Sequence, residues 1–256
     1  MAGLDLPEPL WLGKRSLAVH LRCEGLFESV LRNEDPFELR PESAAGTLTH
    51  RAVHLDVAGE RTQDVRTLVE RAVPDEDRDA RFAAWWRDRD PIDRAEILQE
   101  AARDLALFRD LFPPIERHWQ PLPEQSLRVK LAGGRVVLSG RVDLMLGRTR
   151  KLLLDLKTGE PRPDHAEDMR VYALLATLFF GVPPYRVATV YVGSLECQPE
   201  DVTEATLDHA AGRAIAAART AAELLGEGRE AELTSGPWCR WCPRAACCPA
   251  LRDVAV

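Results

Sequence analysis

The chain has 256 residues, 45% hydrophobic and 29% charged, with 41 Asp and Glu against 34 Lys and Arg for a formal charge of −7. That composition supplies a sizeable core and excludes a disordered or low-complexity chain, and the acidic balance excludes a uniformly basic nucleic-acid-coating surface, though not a local basic groove. No apolar run reaches the roughly 18 residues of a membrane span, and the start "MAGLDLPEPLWLGKR" lacks the basic-then-apolar order of a signal peptide, so the expected location is the cytoplasm, without a membrane partner.

Residues 1 to about 120 read as helices. "SLAVHLRCEGLFESVLR" and "GTLTHRAVHLDVA" carry apolar residues at three- and four-residue intervals, and "RAEILQEAARDLALFRDLF" is a long amphipathic helix. "VPDEDRDARFAAWWRDRDP" reads as an exposed, charged connection in which Trp85 and Trp86 cover the core. The pattern then turns to strands: "QSLRVKLA", "GRVVLSGRVDLML" and "KLLLDLK" alternate or run apolar, with "GG" and "GRTR" as hairpin turns. "DHAEDMRVYALLATLFFG" follows as a buried helix, opened by a capping box of Asp164 and Glu167 and stopped at Gly181. "YRVATVYVG" is a further strand and "DVTEATLDHAAGRAIAAARTAAELLGEG" an alanine-rich helix. The expected fold is α/β, a mixed central sheet flanked by helices, in three regions: a helical lobe over 1–120, a core over 121–230 and a Cys-rich segment over 231–256.

The strands carry chemistry that a structural hairpin does not need. Period-two alternation puts Asp155 and Lys157 on one face of a strand, with Asp143 on its neighbour across a short turn. Two carboxylates held together repel unless a cation lies between them, and a hard divalent ion with oxygen ligands satisfies both. A lysine beside such an ion is placed to orient or deprotonate an attacking water and to balance charge on a phosphate. Spacing alone leaves open a plainer alternative, two solvated acids and a snorkelling lysine on an exposed face.

"GRVD", "DLKTG" and "DMRVYALLA", in this order, resemble the G-x-x-D, D-x-K-T-G and Q-x-x-x-Y motifs of RecB-type PD-(D/E)XK nucleases, and the upstream "GTLTH" resembles that branch's "GTLxH" helix. The resemblance implies a restriction-endonuclease-like core with Mg2+ or Mn2+ bound by His50, Asp143, Asp155 and the carbonyl of Leu156, and Lys157 as the catalytic lysine. It also implies a DNA contact by Tyr172, shared by the residue four before it, which is Asp168 here in place of glutamine. An acid there repels phosphate unless it is paired, for instance with an arginine. Glu124 matches an acid often found at the start of the first core strand and is equally compatible with a surface glutamate. His54, one turn after His50, is the rival histidine; "HRAVH" lacks the glutamate of the H-E-x-x-H zinc motif. Arg148, Arg150, Lys151 and Arg170 are candidates for DNA-backbone contacts, the first three also reading as a solvated turn.

Four of six cysteines crowd into "CRWCPRAACC", which in a cytosolic chain reads as metal binding. The spacing of Cys239, Cys242 and Cys248 resembles the C-terminal motif of iron-sulfur nucleases of the AddB-type and CRISPR-associated adaptation groups, whose fourth cysteine lies near the N-terminus; Cys23 matches it. The resemblance implies a 4Fe-4S cluster that staples the chain ends, while four thiolates also suit structural zinc. Cys247 is then a bystander and Cys197 a small core residue. The combined expectation is a metal-dependent deoxyribonuclease, an exonuclease on DNA ends or single strands in repair, recombination or defence, working alone or with a helicase on a separate chain, since no G-x-x-x-x-G-K-[ST] motif is present. The alternatives are a catalytically inactive DNA-binding or assembly module, for which Asp168 is the best argument, and an unrelated zinc-stabilised protein.

Overall fold

A computed structural model describes residues 8–34 and 39–252. Strand β1 (Leu10–Leu12) leads into helices α1 (Lys14–His20) and α2 (Glu24–Leu31), followed by α3 (Pro41–Ala58), α4 (Val65–Ala72), α5 (Glu76–Arg87) and α6 (Pro91–Leu111). Then come β2 (Leu122–Leu131), β3 (Val136–Leu146), β4 (Leu152–Lys157), α7 (Asp164–Phe180), β5 (Arg186–Tyr191), β6 (Glu196–Asp201) and α8 (Glu204–Leu225). The strands form one mixed sheet: β2, β3 and β4 run antiparallel in turn, β5 is parallel to β4, β6 is antiparallel to β5, and β1 is parallel to β3.

Helices cover both faces, so the α/β layering expected from the pattern is what forms. One apolar layer joins α1, α2, α7 and α8 to Val136, Leu138, Leu153 and Val187. The other joins α3 to α6 to Leu144, Leu154, Leu156 and Val190. Adjacent residues such as Leu153 and Leu154 serve opposite layers, as a strand covered on both sides requires. The helices of residues 1–120 are thereby divided between the two faces.

Local chemistry explains where sequence expectations need correction. "SLAVHLRCEGLFESVLR" is two helices, because the chain leaves helical geometry at Cys23, the extended N-cap of α2. The stretch expected as an exposed connection contains α5, capped by Asp75 and anchored by buried Phe82, against which Trp85 and Trp86 pack with ring centroids at 5.9 and 6.0 Å. No capping box opens α7: its N-cap is Pro163, Asp164 pairs with Arg22, and Glu167 is held by Arg170, His209 and Arg213. The end of α7 is as read, with Gly181 left-handed at φ 73°. Cys197 is exposed on the edge strand β6 and is no core residue.

One topological detail creates the site. On β3, β1 pairs with Val136–Leu138 and β4 with Leu144–Leu146, so this edge has a notch between them. Beyond Leu144↔Leu154 the strands part, and the Leu156 N–H, which an unbroken ladder would give to a β3 carbonyl, donates to the Asp143 carboxylate at 2.7 Å.

Candidate active site

The notch gathers side chains from both layers. Asp143 and Asp155, which would lie opposite each other had the ladder continued, mark its two walls. From the α3 side His50 brings Nδ1 to 3.2 Å from Asp143 Oδ1. From the other side, Lys14, the residue after β1 and Gly13, brings its ammonium to 3.3 Å from Asp155 Oδ1 and 3.8 Å from Asp168, lying over the Tyr172 ring at 5.4 Å. Lys157 pairs with the other oxygen of Asp155, which is only 1% exposed.

Among the described residues, one group of His, Cys, Asp or Glu brings three or more ligand atoms within 4.8 Å of one another: His50, Glu124 and Asp143. Glu124 reaches it through a strained backbone. Its φ is +53°, and it is skipped in the pairing that runs from Pro123↔Leu144 to Gln125↔Val142, opposite Asp143. Arg141 holds its far side at 3.0 Å. Asp155 lines the same cleft but its carboxylate is turned to the two lysines.

Electrostatics follow from this crowding. Burial opposes charge on His50, yet Asp143, Asp155 and Glu124 outweigh it and raise its pKa. Burial likewise opposes ionisation of Asp143, but His50, the Leu156 N–H and Lys157 bring its pKa below the usual carboxylate value. Asp168 is pushed up to about 6, by burial first and with Asp155 adding to it, against the pull of Lys14, Lys157 and Arg213. Among the described residues its ion-pair partner is Lys14. The ring of His165 borders the cleft, bonded to the Tyr191 hydroxyl at 3.0 Å and accepting from Arg162 at 3.2 Å. Burial, Lys157 and Arg162 bring it down to about 4, so it is neutral near pH 7.

Two connected hollows expose the site. One of about 540 Å3 holds Lys14, His50, Asp143, Asp155, Lys157 and His165. The next, about 720 Å3, shares Lys14, His50 and Asp143 and adds Glu124, Tyr172 and Arg51. His54 belongs to neither. Arg170 is committed to Glu167 and Glu200, and the turn of Arg148, Arg150 and Lys151 lies outside both hollows, with Arg150 over Tyr185 and Lys151 over Phe180. Lys14 and His165 escaped the sequence reading. Lys14 carries no local signal, because its place depends on β1 pairing with a strand more than a hundred residues later.

The family model of the PD-(D/E)XK nuclease superfamily matches residues 18–249. The chain belongs to this superfamily. Among solved structures, a candidate exonuclease from Eubacterium rectale superposes with a TM-score of 0.52 over 96% of this chain and 88% of its own at 9% identity, a likeness of fold alone. The protein SSO0001 aligns over 96% of this chain and 89% of its own at 14% identity, with a TM-score of 0.41, too low to carry an argument. A comparison with curated protein sequences returns no match. No helix among the described residues is long and apolar enough to cross a membrane.

Away from this notch, the tail folds back on α2. Arg229 clamps Glu24, Arg244 clamps Glu28 and Glu34, and the Glu232 N–H donates to Glu24 at 2.8 Å. This brings Cys23 beside the tail, where its Sγ accepts from Thr234 N–H at 3.5 Å. The Cys242 thiol is pushed up by burial first, then by the nearby Cys23, Cys239 and Cys248. Cys247 is exposed and turned to the Arg244 carbonyl at 3.4 Å.

Proposed function

We propose that the protein is a divalent-metal-dependent deoxyribonuclease that hydrolyses phosphodiester bonds at DNA ends or in single strands, as an exonuclease in repair, recombination or defence, alone or beside a helicase on another chain. The observation that carries this reading is the meeting of the His50, Glu124 and Asp143 ligand atoms beside the Asp155–Lys157 pair, where two hollows share His50 and Asp143. Imidazole nitrogen and carboxylate oxygens make a donor set suited to Mg2+ or Mn2+. We assign His50, Asp143, Asp155 and the Leu156 carbonyl as ligands, with Glu124 joining them. When bound, the ion supplies an activated water and positive charge against the phosphate.

The residues of the chain do the positioning. The Leu156 N–H holds one Asp143 oxygen in a fixed direction, so that carboxylate needs little reorganisation during turnover. Lys157, anchored on Asp155, offers its ammonium to the attacking water and to the phosphoryl oxygens. Lys14 supplies a second positive charge at the same carboxylate. Tyr172, whose hydroxyl is kept protonated by burial, is a hydrogen-bond donor available to the DNA backbone, and Asp168, held by Lys14, sits beside it.

The test is cleavage of end-labelled single- and double-stranded DNA with Mg2+ or Mn2+. Asp143→Ala, Asp155→Ala and Lys157→Ala should each lose activity by roughly 10^2- to 10^4-fold with the fold retained. Full activity in Asp155→Ala would remove the assignment. His50→Ala should weaken metal binding strongly and His54→Ala little.

At the tail we propose that Cys23, Cys239, Cys242 and Cys248 hold a 4Fe-4S cluster. Support for a shared site comes from Cys23 lying against the tail at Thr234 and from Cys242 having Cys23, Cys239 and Cys248 for neighbours; four thiolates so gathered suit a 4Fe-4S cluster, with structural Zn2+ as the alternative. Brown protein with iron and sulfide after anaerobic purification is the expected result; zinc in their place overturns it.

A further inference from the structure

A second basic hollow opens off the groove, and neither the proposed chemistry nor the sequence motifs use it. Arg51, His54, Arg71 and Arg78 line a cavity of about 230 Å3 with an apolar remainder. Arg51 and Arg78 also line the 720 Å3 groove that contains Lys14, His50, Glu124 and Asp143, so the same two arginines border both spaces. Its construction is local. Arg51 and His54 continue α3 beyond His50, His54 standing about 6 Å further along the axis. Arg71 comes from the last turn of α4. Arg78 comes from the first turn of α5, just before Asp79 leaves helical geometry at φ −159°, ψ 84°.

The charge here is unusual for so acidic a chain. Arg109 is locked on Asp56, Arg170 on Glu167 and Glu200, and Arg244 on Glu28 and Glu34. Among the described residues, Arg71 and Arg78 form no such ion pair; Arg71 donates to the neutral Gln63 amide oxygen, and both are exposed. Arg51 gives one nitrogen to Asp79 at 3.1 Å, while its Nη1 is buried without a hydrogen-bond partner. A buried donor left unpaired is destabilising, and an incoming acceptor relieves it.

Guanidinium forks match the geometry of phosphate oxygens. The cavity is below the roughly 300 Å3 at which sites for larger organic ligands begin, a size suited to a phosphate and sugar. One helical turn beyond His50 is on the order of one or two nucleotide steps. We propose that this hollow is a phosphodiester subsite that holds the backbone of the substrate strand one or two nucleotides from the bond being cleaved. The proposal rests on the nuclease reading for its substrate, and its test is separable from it.

The experiment compares wild type, the double variant Arg71→Ala/Arg78→Ala and the charge-preserving Arg71→Lys/Arg78→Lys. Binding of a fluorescent single-stranded 12-mer is measured in EDTA across a salt series, where no turnover occurs. Hydrolysis of bis(p-nitrophenyl) phosphate, a single diester with no neighbouring phosphate, is measured with Mn2+. The alanine pair should weaken strand binding by roughly tenfold or more at low salt and flatten the log–log salt slope by about 0.7 for each phosphate that is no longer neutralised. Its small-diester hydrolysis should match wild type, and the lysine pair should recover most of the salt slope. Unchanged affinity and slope in the alanine pair, or an equal loss on the small diester, overturns the subsite. A wild type that binds the strand but hydrolyses neither substrate removes the nuclease reading, and the binding series still decides the subsite.

Discussion

Asp168 stands where related motifs carry glutamine, and its carboxylate is met by an ammonium that also serves Asp155. Its position beside Tyr172 is kept by the four-residue spacing on α7, but its charge is costly there, which is why its pKa rises from 3.8 to about 6. Between these values the folded chain holds more protons than the unfolded chain, so this contribution to stability falls as pH rises through the window. Asp168→Asn should therefore raise the melting temperature at pH 7.5, by up to about 3 kcal/mol of stability, and the gain should vanish near pH 4. In a Lys14→Ala background the gain should be larger, because the acid has lost its nearest cation. His165 works in the opposite direction, since its folded value of about 4 lies below the ordinary 6.5 and its contribution falls on acidification. Thermal melts of His165→Asn against wild type across pH 4 to 6.5 should show the variant gaining relative stability as the pH drops; parallel curves would mean that His165 is not held neutral.

At the scale of elements, two motif glycines lie where elements cross. A Cβ on Gly140 of β3 would stand 2.8 Å from the Tyr172 ring, and one on Gly46 of α3 would stand 3.2 Å from the Thr158 hydroxyl after β4. The glycines of "GRVD" and "GTLTH" thus bring β3 against α7 and α3 against the end of β4. Gly140→Ala should cost about 1–3 kcal/mol by overpacking and displace Tyr172, lowering activity on DNA more than stability alone explains; Gly46→Ala, facing a rotatable hydroxyl, should be milder. Melting curves and cleavage rates on the same samples separate the two effects. These close approaches also mark what was legible in the sequence. Strands β2 to β5 and the long helices were readable because their apolar periods are strong. Strand β1 has three residues, too few to show a period, and β6, "ECQPED", is a polar edge strand containing Pro199, so its only sign of strand is the partner that pairs with it. The meeting of His50 and Asp143 followed from motif resemblance, whereas Lys14 and the role of Glu124 depend on the notch in β3, and no local pattern encodes a notch.

Across the whole molecule, the two ends are joined by ion pairs and, in the proposed cluster, by thiolates as well. Arg229 and Arg244 in the tail reach Glu24, Glu28 and Glu34 at the N-terminal side, but those pairs are partly exposed and individually contribute little. In the proposed cluster the cysteines would carry the larger linkage: ligands gathered only in the native state convert metal binding into folding free energy, and Cys23 precedes the other three by more than two hundred residues. Cys23→Ser should therefore lower iron content and melting temperature about as much as Cys242→Ser, although it lies at the far end of the sequence. Cys247→Ser, with its thiol turned to the Arg244 carbonyl, should retain the cluster where Cys248→Ser does not, and Cys197→Ser on β6 should be neutral. Iron and sulfide per chain, with a melting curve for each anaerobically prepared variant, decide the matter. Disrupting the ion pairs alone, as in Arg244→Ala, should leave iron bound and shift the melt only slightly, since the proposed cluster would still hold the tail after one guanidinium is gone. Normal iron in Cys23→Ser would instead make the tail a local site, with the ends held by charge alone.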